Sequence, residues 1–187
     1  MIGSWFFVIW TLGIFVLGSI PIGDLVARSQ GVDVRSLGTG NPGAANIYRE
    51  IGPVYGIIVF LLDVAVGAIS TVPLLFWGFH TLFRLMATLT VIGGHFFPFF
   101  WRRRGGTGLA VALGTILGLL PLSVLLATPI GVAWLLMTRS PSHAGGVVFF
   151  MTVVAGGFLN RDLVAMLAVT IVGFTILAKS LIQYRNL

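Results

Sequence analysis

The feature that most restricts the fold of this chain is a series of long apolar segments separated by short polar breaks. Hydrophobic residues make up 57% of the 187 residues and charged residues only 9%, and the mean hydropathy is +1.05. A soluble domain carries about 25% charged residues, and a helix needs roughly 20 apolar residues to cross a bilayer. The sequence therefore predicts an all-α, polytopic membrane helix bundle formed by one domain, 1–187, with no room for a soluble domain.

The apolar segments predict seven membrane spans. They are expected at about 5–27, 53–77, 85–101, 108–120, 122–138 and 144–159, with a last span that ends near 178. Pro21 is expected to kink the end of the first span, and Pro121 is expected to divide the long apolar stretch 109–137 into two spans. The alternative is five spans, with short re-entrant segments at the end of the chain.

The positions of the cations favour seven spans, with the N-terminus outside and the C-terminus in the cytoplasm. In that topology nine cations fall on the cytoplasmic side, and only Arg84 and Arg161 fall outside. Cytoplasmic loops of membrane proteins carry such an excess of Lys and Arg. The net charge of +6 is therefore interpreted as a topology signal and not as a site for nucleic acid.

The same composition restricts the chemistry. The chain has no cysteine, which excludes disulfides, thiolate metal sites and cysteine nucleophiles. Its three histidines and five carboxylates do not follow the spacing of metal ligands. We therefore expect neither a metal nor another cofactor.

The longest polar interval, residues 31–49, reads GVDVRSLGTGNPGAANIYR. Glycine allows backbone N–H groups to turn toward one point, which forms a concave anion site, and arginine pairs well with phosphate or carboxylate. A phosphorylated substrate at a membrane surface is the prediction, and an ordinary inter-helix turn is the alternative. The residues expected to bind or orient it are Arg35, Gly38, Thr39, Gly40, Asn41, Asn46 and Arg49.

A second glycine-rich segment comprises Gly105, Gly106, Thr107 and Gly108, between three arginines and an apolar run. Small residues at a helix start leave the first-turn N–H groups accessible at the positive end of the helix, as in many anion sites. His95 lies ten residues before Gly105, inside a predicted span. It is a candidate general base, with a histidine that only packs helices together as the alternative.

Three blocks in this order, GSIPIGDLVAR, GVDVRSLGTGNPGAANIYR and GGHFFPFFWRRRGGTGLAVALG, resemble the bacterial acyl-phosphate:glycerol-3-phosphate acyltransferase (PlsY-type) family. The resemblance implies a multi-pass protein of the bacterial inner membrane, with its active face in the cytoplasm. It implies transfer of a fatty acyl group from acyl phosphate to the 1-hydroxyl of glycerol-3-phosphate, which gives lysophosphatidic acid for phospholipid synthesis. The implied partners are these two substrates and the lipid bilayer.

Residue by residue, the resemblance gives catalytic roles to Thr39, Arg49 and His95 and a substrate-binding role to Asn186. The chain also departs from the family pattern. Thr107 stands where the family's GGKG motif has lysine, and Asp63 is not followed by the lysine of the DxxKG motif. Two alternatives therefore stay open: a catalytically impaired paralogue that binds phosphorylated lipid precursors, and a small transporter.

Overall fold

The computed structural model describes residues 4–99, 105–159 and 162–184, and this part of the chain contains helices and loops but no strand. Its α-helices are α1 Ser4–Gly18, α2 Ile22–Ser29, α3 Ala44–Glu50, α4 Pro53–Phe76, α5 Thr81–Phe96, α6 Leu109–Leu119, α7 Pro121–Thr138, α8 Pro141–Leu159 and α9 Leu163–Tyr184. The predicted all-α fold is confirmed.

Prolines mark several of the helix starts. Pro53, Pro121 and Pro141 are each the first residue of a helix, a position where the missing N–H group has no intrahelical partner to lose. Between α6 and α7, Leu120 leaves the helical conformation with φ −135° and ψ 64°. The predicted division of the long apolar stretch at Pro121 is therefore confirmed.

Each predicted span corresponds to a helix or, for the first span, to the pair α1 and α2. Four stretches have both the length and the hydropathy of a spanning helix: Trp5–Ser29, Pro53–Phe76, Pro121–Thr138 and Leu163–Ser180. Large apolar side chains such as Trp5, Phe76 and Leu136 are more than 70% exposed, as expected for a surface that faces lipid rather than water. Seven crossings and the orientation of the termini stay predictions.

Small residues bring the central helices α4 and α6 into close contact. A Cβ atom at Gly67 of α4 would collide with the carbonyl of Val111, and one at Gly114 of α6 would collide with the carbonyl of Val64. Membrane helices lack a hydrophobic driving force between them and rely on such close backbone approach. This closely packed pair of helices carries the loops of the candidate site at one end.

The polar loop 30–43 is anchored to that end of the bundle by a small apolar cluster. The cluster joins Ala27 of α2, Val34 of the loop, Ile47 of α3 and Val59 of α4, all at most 1% exposed. Burying these side chains fixes the ends of the loop, so that its glycines and polar side chains are held in one place beside α4.

Candidate functional site

Asn46 organises the first loop from its position in α3. Its side chain is 1% exposed, and its Oδ1 accepts hydrogen bonds from the Thr39 backbone N–H at 3.0 Å and from the Thr39 hydroxyl at 3.1 Å. Its Nδ2 donates to the carbonyl of Leu37 at 3.0 Å. Every polar atom of this amide therefore binds the loop, and Asn46 acts here as an internal clamp on Thr39.

The tip of the loop has its own local support. Gly38 and Gly40 adopt left-handed conformations with φ of 50° and 64°, which other residues rarely adopt. The Asn41 side chain accepts a hydrogen bond from the Gly43 N–H at 3.0 Å, an Asx turn that leads into α3. The glycines predicted to bind substrate thus shape the turn that presents Thr39 and Asn41.

Arg35 is held by a carboxylate. Its Nε and Nη2 donate to Oδ1 and Oδ2 of Asp24 at 3.1 and 3.0 Å, and Asp24 is 3% exposed. The predicted phosphate-binding role of Arg35 stays a prediction, but in this structure its guanidinium ties the loop to α2. The sequence signal for this pair was an acidic residue at the membrane edge in a chain with only five carboxylates.

The second loop, which is the glycine-rich segment 105–108, approaches the first loop, residues 30–43, beside His95. The Gly105 N–H donates to the carbonyl of Phe96 at 3.1 Å, and a Cβ at Gly105 would collide with the carbonyl of His95. A Cβ at Gly106 would lie 3.0 Å from Nε2 of His95, 3.5 Å from Oδ1 of Asn41 and 3.6 Å from Cα of Gly43. Gly106 is therefore the point at which both predicted loops and the predicted base meet.

A small cavity of about 10 Å³ lies at this meeting point, between Gly23, Asp24, Pro42, His95 and Gly106. Within the described residues, the N–H groups of Gly106, Thr107 and Gly108 donate to no acceptor. The N–H groups of the first turn of α6, residues 109–111, follow directly in the chain. The hydrogen bonds of this helix begin at Ala112, whose N–H binds the carbonyl of Gly108. Such a row of N–H donors is suited to an anion.

Lys179 is a residue that the sequence analysis did not assign to the site. It lies in α9, and its Nζ donates to the carbonyls of Gly105 at 3.2 Å and Gly106 at 2.5 Å. The same atom lies 3.7 Å from the centre of the Phe96 ring. In the sequence this lysine counted only as a cytoplasmic cation, and no spacing links it to a loop more than seventy residues away.

Of the remaining predicted residues, the structure describes Arg49 and Thr107 but not Asn186. Arg49 lies in the last turn of α3 and is exposed, and its guanidinium binds no acceptor among the described residues. Asn186 lies outside the described residues, as do Arg102, Arg103 and Arg104. Thr107 is half-buried between Gly106 and Gly108.

An apolar groove of about 270 Å³ begins beside α3 and passes between α4, α6, α7 and α8. Ala44 and Tyr48 line it at the end near the first loop, and Leu117 and Val124 line it at the other end. Along α7 it extends from Leu135 to Val124, which is about 16 Å of helix. The groove has the form and polarity needed for a fatty acyl chain whose head group lies at the loops.

Asp63 is a buried carboxylate in the middle of α4. It is 4% exposed, and its Oδ1 has no hydrogen-bond partner among the residues that the structure describes. No group of three or more His, Asp or Glu side chains in the described ranges is arranged to hold a metal ion.

A separate polar cluster lies at the start of α5 and the end of α6, which are the ends of these helices away from the candidate site. The Thr81 hydroxyl donates to Asp162 Oδ2 at 2.6 Å, and Arg84 donates to Thr81 Oγ1 at 2.7 Å and to the Gly118 carbonyl at 2.6 Å. The hydrogen bond from Thr81 is the main cause that lowers the pKa of Asp162 below its ordinary value, and Arg84 adds to it. This cluster joins the start of α5, the end of α6 and the start of α9. The two loops of the candidate site lie at the other ends of α5 and α6.

Comparison with known proteins identifies the family. A family model described as glycerol-3-phosphate acyltransferase matches residues 8–186. A glycerol-3-phosphate acyltransferase of Thermus thermophilus is 39% identical over 153 residues, which cover 80% of this chain and 77% of the relative. One of Aquifex aeolicus is 32% identical over 173 residues, which cover 92% of this chain and 87% of the relative.

Solved structures agree with this assignment. The crystal structure of PlsY, an integral membrane glycerol 3-phosphate acyltransferase, in its glycerol 3-phosphate form has a TM-score of 0.82 at 27% identity, covering 94% of this chain and 88% of that one. The lysophosphatidic acid form has a TM-score of 0.79 at 26% identity, covering 98% and 89%. The chain therefore belongs to the glycerol-3-phosphate acyltransferase family of integral membrane proteins, as its three sequence blocks predict.

Proposed function

We propose that this chain is a glycerol-3-phosphate acyltransferase of membrane phospholipid synthesis that takes its acyl group from acyl phosphate. The observation that carries the proposal is the meeting of both loops with His95 at Gly106, close to α3, where the apolar groove begins. A polar anion site joined to a groove for an acyl chain is what a reaction between a lipid and a small phosphorylated alcohol requires. Family membership supports the same activity.

In the proposed reaction the 1-hydroxyl oxygen of glycerol-3-phosphate attacks the acyl carbon. The bond between that carbon and the phosphate oxygen breaks, so that lysophosphatidic acid and inorganic phosphate are released. Acyl phosphate is a mixed anhydride and is already activated, so no covalent enzyme intermediate is needed. The enzyme lowers the barrier mainly by holding two anionic substrates in one orientation.

The site residues have the following proposed roles. The N–H groups of Gly106, Thr107 and Gly108 bind phosphate oxygens and stabilise the developing oxyanion. Arg49 supplies positive charge, and Arg35, paired with Asp24, fixes the loop. Thr39 and Asn41, which Asn46 and Gly43 hold in place, orient the second substrate. His95 accepts the proton of the attacking hydroxyl at Nε2, the nitrogen that lies against Gly106.

The proposed location is the cytoplasmic face of a bacterial inner membrane, with residues 1–187 forming one domain. The positions of the Lys and Arg residues in the sequence favour a cytoplasmic location of both loops. The described parts of the site and the apolar groove belong to the same helix bundle, which supports a single domain.

Phosphate release from palmitoyl phosphate by the purified protein, with and without glycerol-3-phosphate, tests the proposal. We expect release that depends on glycerol-3-phosphate and is abolished in Arg49→Ala. Arg139→Ala is the matched control, because it removes a cation from the same predicted face outside the two loops. Absence of turnover with several acyl chain lengths would contradict the proposed activity.

The paralogue without catalysis is a second candidate, favoured by one observation. Thr107 provides a hydroxyl at the position where the family's GGKG motif has lysine, so the second loop itself has no ammonium group. This candidate predicts binding of glycerol-3-phosphate without turnover. Thr107→Lys separates the two: a gain of turnover from none would indicate a binding protein that lost its chemistry.

A further inference from the structure

The ammonium group of Lys179 is directed at the protein backbone. Its Nζ donates to the carbonyl oxygens of Gly105 and Gly106 and faces the Phe96 ring at 3.7 Å. An ammonium group has three donors. Among its contacts are two hydrogen bonds to the loop carbonyls and the electron-rich face of an aromatic ring. These contacts join Lys179 to the backbone of the loop.

The two carbonyls determine where the neighbouring N–H groups point. In a trans peptide the C=O and N–H bonds of one peptide plane point in opposite directions. The Gly105 carbonyl shares its plane with the Gly106 N–H, and the Gly106 carbonyl shares its plane with the Thr107 N–H. Because both carbonyls turn toward Lys179, both N–H groups turn away from it.

These are two of the N–H groups that donate to no acceptor in the described ranges. Glycine lets a peptide plane rotate freely, so the segment 105–108 has little conformational preference of its own. The contact from α9 therefore selects one orientation of two adjacent peptide planes. A cation on the carbonyl also polarises each plane and strengthens its N–H as a donor.

We propose that Lys179 is a positioning residue that orients the N–H groups of Gly106 and Thr107 toward a substrate phosphate. This inference rests on the proposed function and assigns the last helix a part in substrate binding. It predicts that loss of the ammonium group weakens phosphate binding and turnover together, while the helix bundle stays folded.

The variants Lys179→Met and Lys179→Arg test the proposal. Methionine keeps an unbranched stem but removes the positive charge and the N–H donors. Arginine keeps the positive charge and N–H donors. In Lys179→Met we expect kcat/KM for palmitoyl phosphate to fall roughly tenfold to a hundredfold, with inhibition by inorganic phosphate weakened by a similar factor. Lys179→Arg is expected to recover most of both losses, and the melting temperature of all variants should match that of the native chain.

Arg139→Met is the matched control, because it removes a cation from the same predicted face without touching the glycine segment. The proposal is overturned if Lys179→Met keeps kcat/KM and phosphate inhibition within twofold of the native chain. It is also overturned if both Lys179 variants lose activity equally and melt at a lower temperature, because the lysine would then only support folding.

A direct binding measurement separates this inference from the proposed function. Hydrogen exchange of the amides of Gly106 and Thr107 is followed in the native chain and in Lys179→Met, with inorganic phosphate as the probe. Protection by phosphate that is lost in Lys179→Met supports the role of Lys179 even if palmitoyl phosphate is not turned over. Equal protection in both proteins contradicts the role even if the native chain is an active acyltransferase.

Discussion

Arg35 and Asp24 form a two-pronged ion pair that joins the first loop to α2, with N–O distances of 3.1 and 3.0 Å. The carboxylate is 4% exposed and the guanidinium 22%, so water screens the pair only in part. A bidentate pair of this type fixes orientation as well as distance. The position of the whole loop relative to α2 therefore depends on Asp24.

Asp24→Asn is expected to remove one charge of this pair and so to weaken the attachment of the half-buried guanidinium to α2. We expect the free energy of unfolding to fall by about 2 kcal/mol. In a thermal unfolding measurement this corresponds to a melting temperature lower by about 4–8 °C. Asp33→Asn is the control. Asparagine can also accept the hydrogen bond from the Arg35 N–H that Asp33 accepts at 3.1 Å, so an equal loss in both variants would contradict the role of Asp24.

The hydrogen bonds of Thr39 give a prediction about its hydroxyl. Thr39→Ser keeps the donor to Asn46 and is expected to keep activity within about threefold. Thr39→Val removes that donor, leaves the backbone bond to Asn46 in place, and is expected to lower kcat/KM about tenfold or more. Steady-state assays of both variants check this, and equal activities would show that the hydroxyl takes no part.

Gly106 has little room for a side chain beside His95. A Cβ there would lie 3.0 Å from Nε2 of His95, so Gly106→Ala is expected to displace His95 or the loop and to lower kcat/KM at least tenfold. Gly93→Ala is the matched control at the same end of α5, since a Cβ at Gly93 meets nothing within 4 Å. Activity assays with thermal unfolding distinguish the two, and a fully active Gly106→Ala would place the reaction elsewhere.

The far part of the apolar groove is expected to set the length of acyl chain that fits. Thr128 lines the groove, and Thr128→Trp is expected to fill it and to shift preference toward shorter acyl phosphates by several-fold in kcat/KM. Leu125→Trp is the control, because Leu125 is 61% exposed and does not line the groove. An unchanged chain-length profile in Thr128→Trp would indicate that the acyl chain binds elsewhere.

The cluster at the other end of the bundle predicts a dependence of stability on pH. The pKa of Asp162 is lowered in the folded chain, chiefly by the hydrogen bond from Thr81. The stabilisation by Asp162 is therefore fully present above the ordinary aspartate pKa, about 3.9, and is lost as pH falls through the lower, folded pKa. Melting temperatures measured from about pH 6 to pH 3 should fall less steeply in Asp162→Asn than in the native chain. Equal slopes would contradict this assignment.

Hydropathy and proline positions were sufficient to predict most of the helices. Long apolar segments have few folding alternatives in a bilayer, because every backbone N–H and C=O must be satisfied within a helix. Leu120 and Pro121 show this well: one proline in a continuous apolar stretch correctly located the break between α6 and α7.

The candidate site was predictable only where its residues are close in sequence. The glycine segments and His95 are recognised from local composition, and the structure brings them together at Gly106. The contact of Lys179 with the loop depends on how α9 packs against the bundle, and no local pattern encodes that packing. For the same reason the sequence indicated that Asn46 would orient substrate, whereas its amide faces the loop.

The walls of the apolar groove include side chains that are themselves largely exposed, such as Ile57 at 51% and Val132 at 49%. In a bilayer, those exposed surfaces contact lipid tails. The groove is thus continuous with the hydrocarbon interior along its side, and an acyl chain can pass between lipid and protein without crossing water. Under the proposed function, a lysolipid product formed at the loops is therefore expected to leave sideways into the membrane.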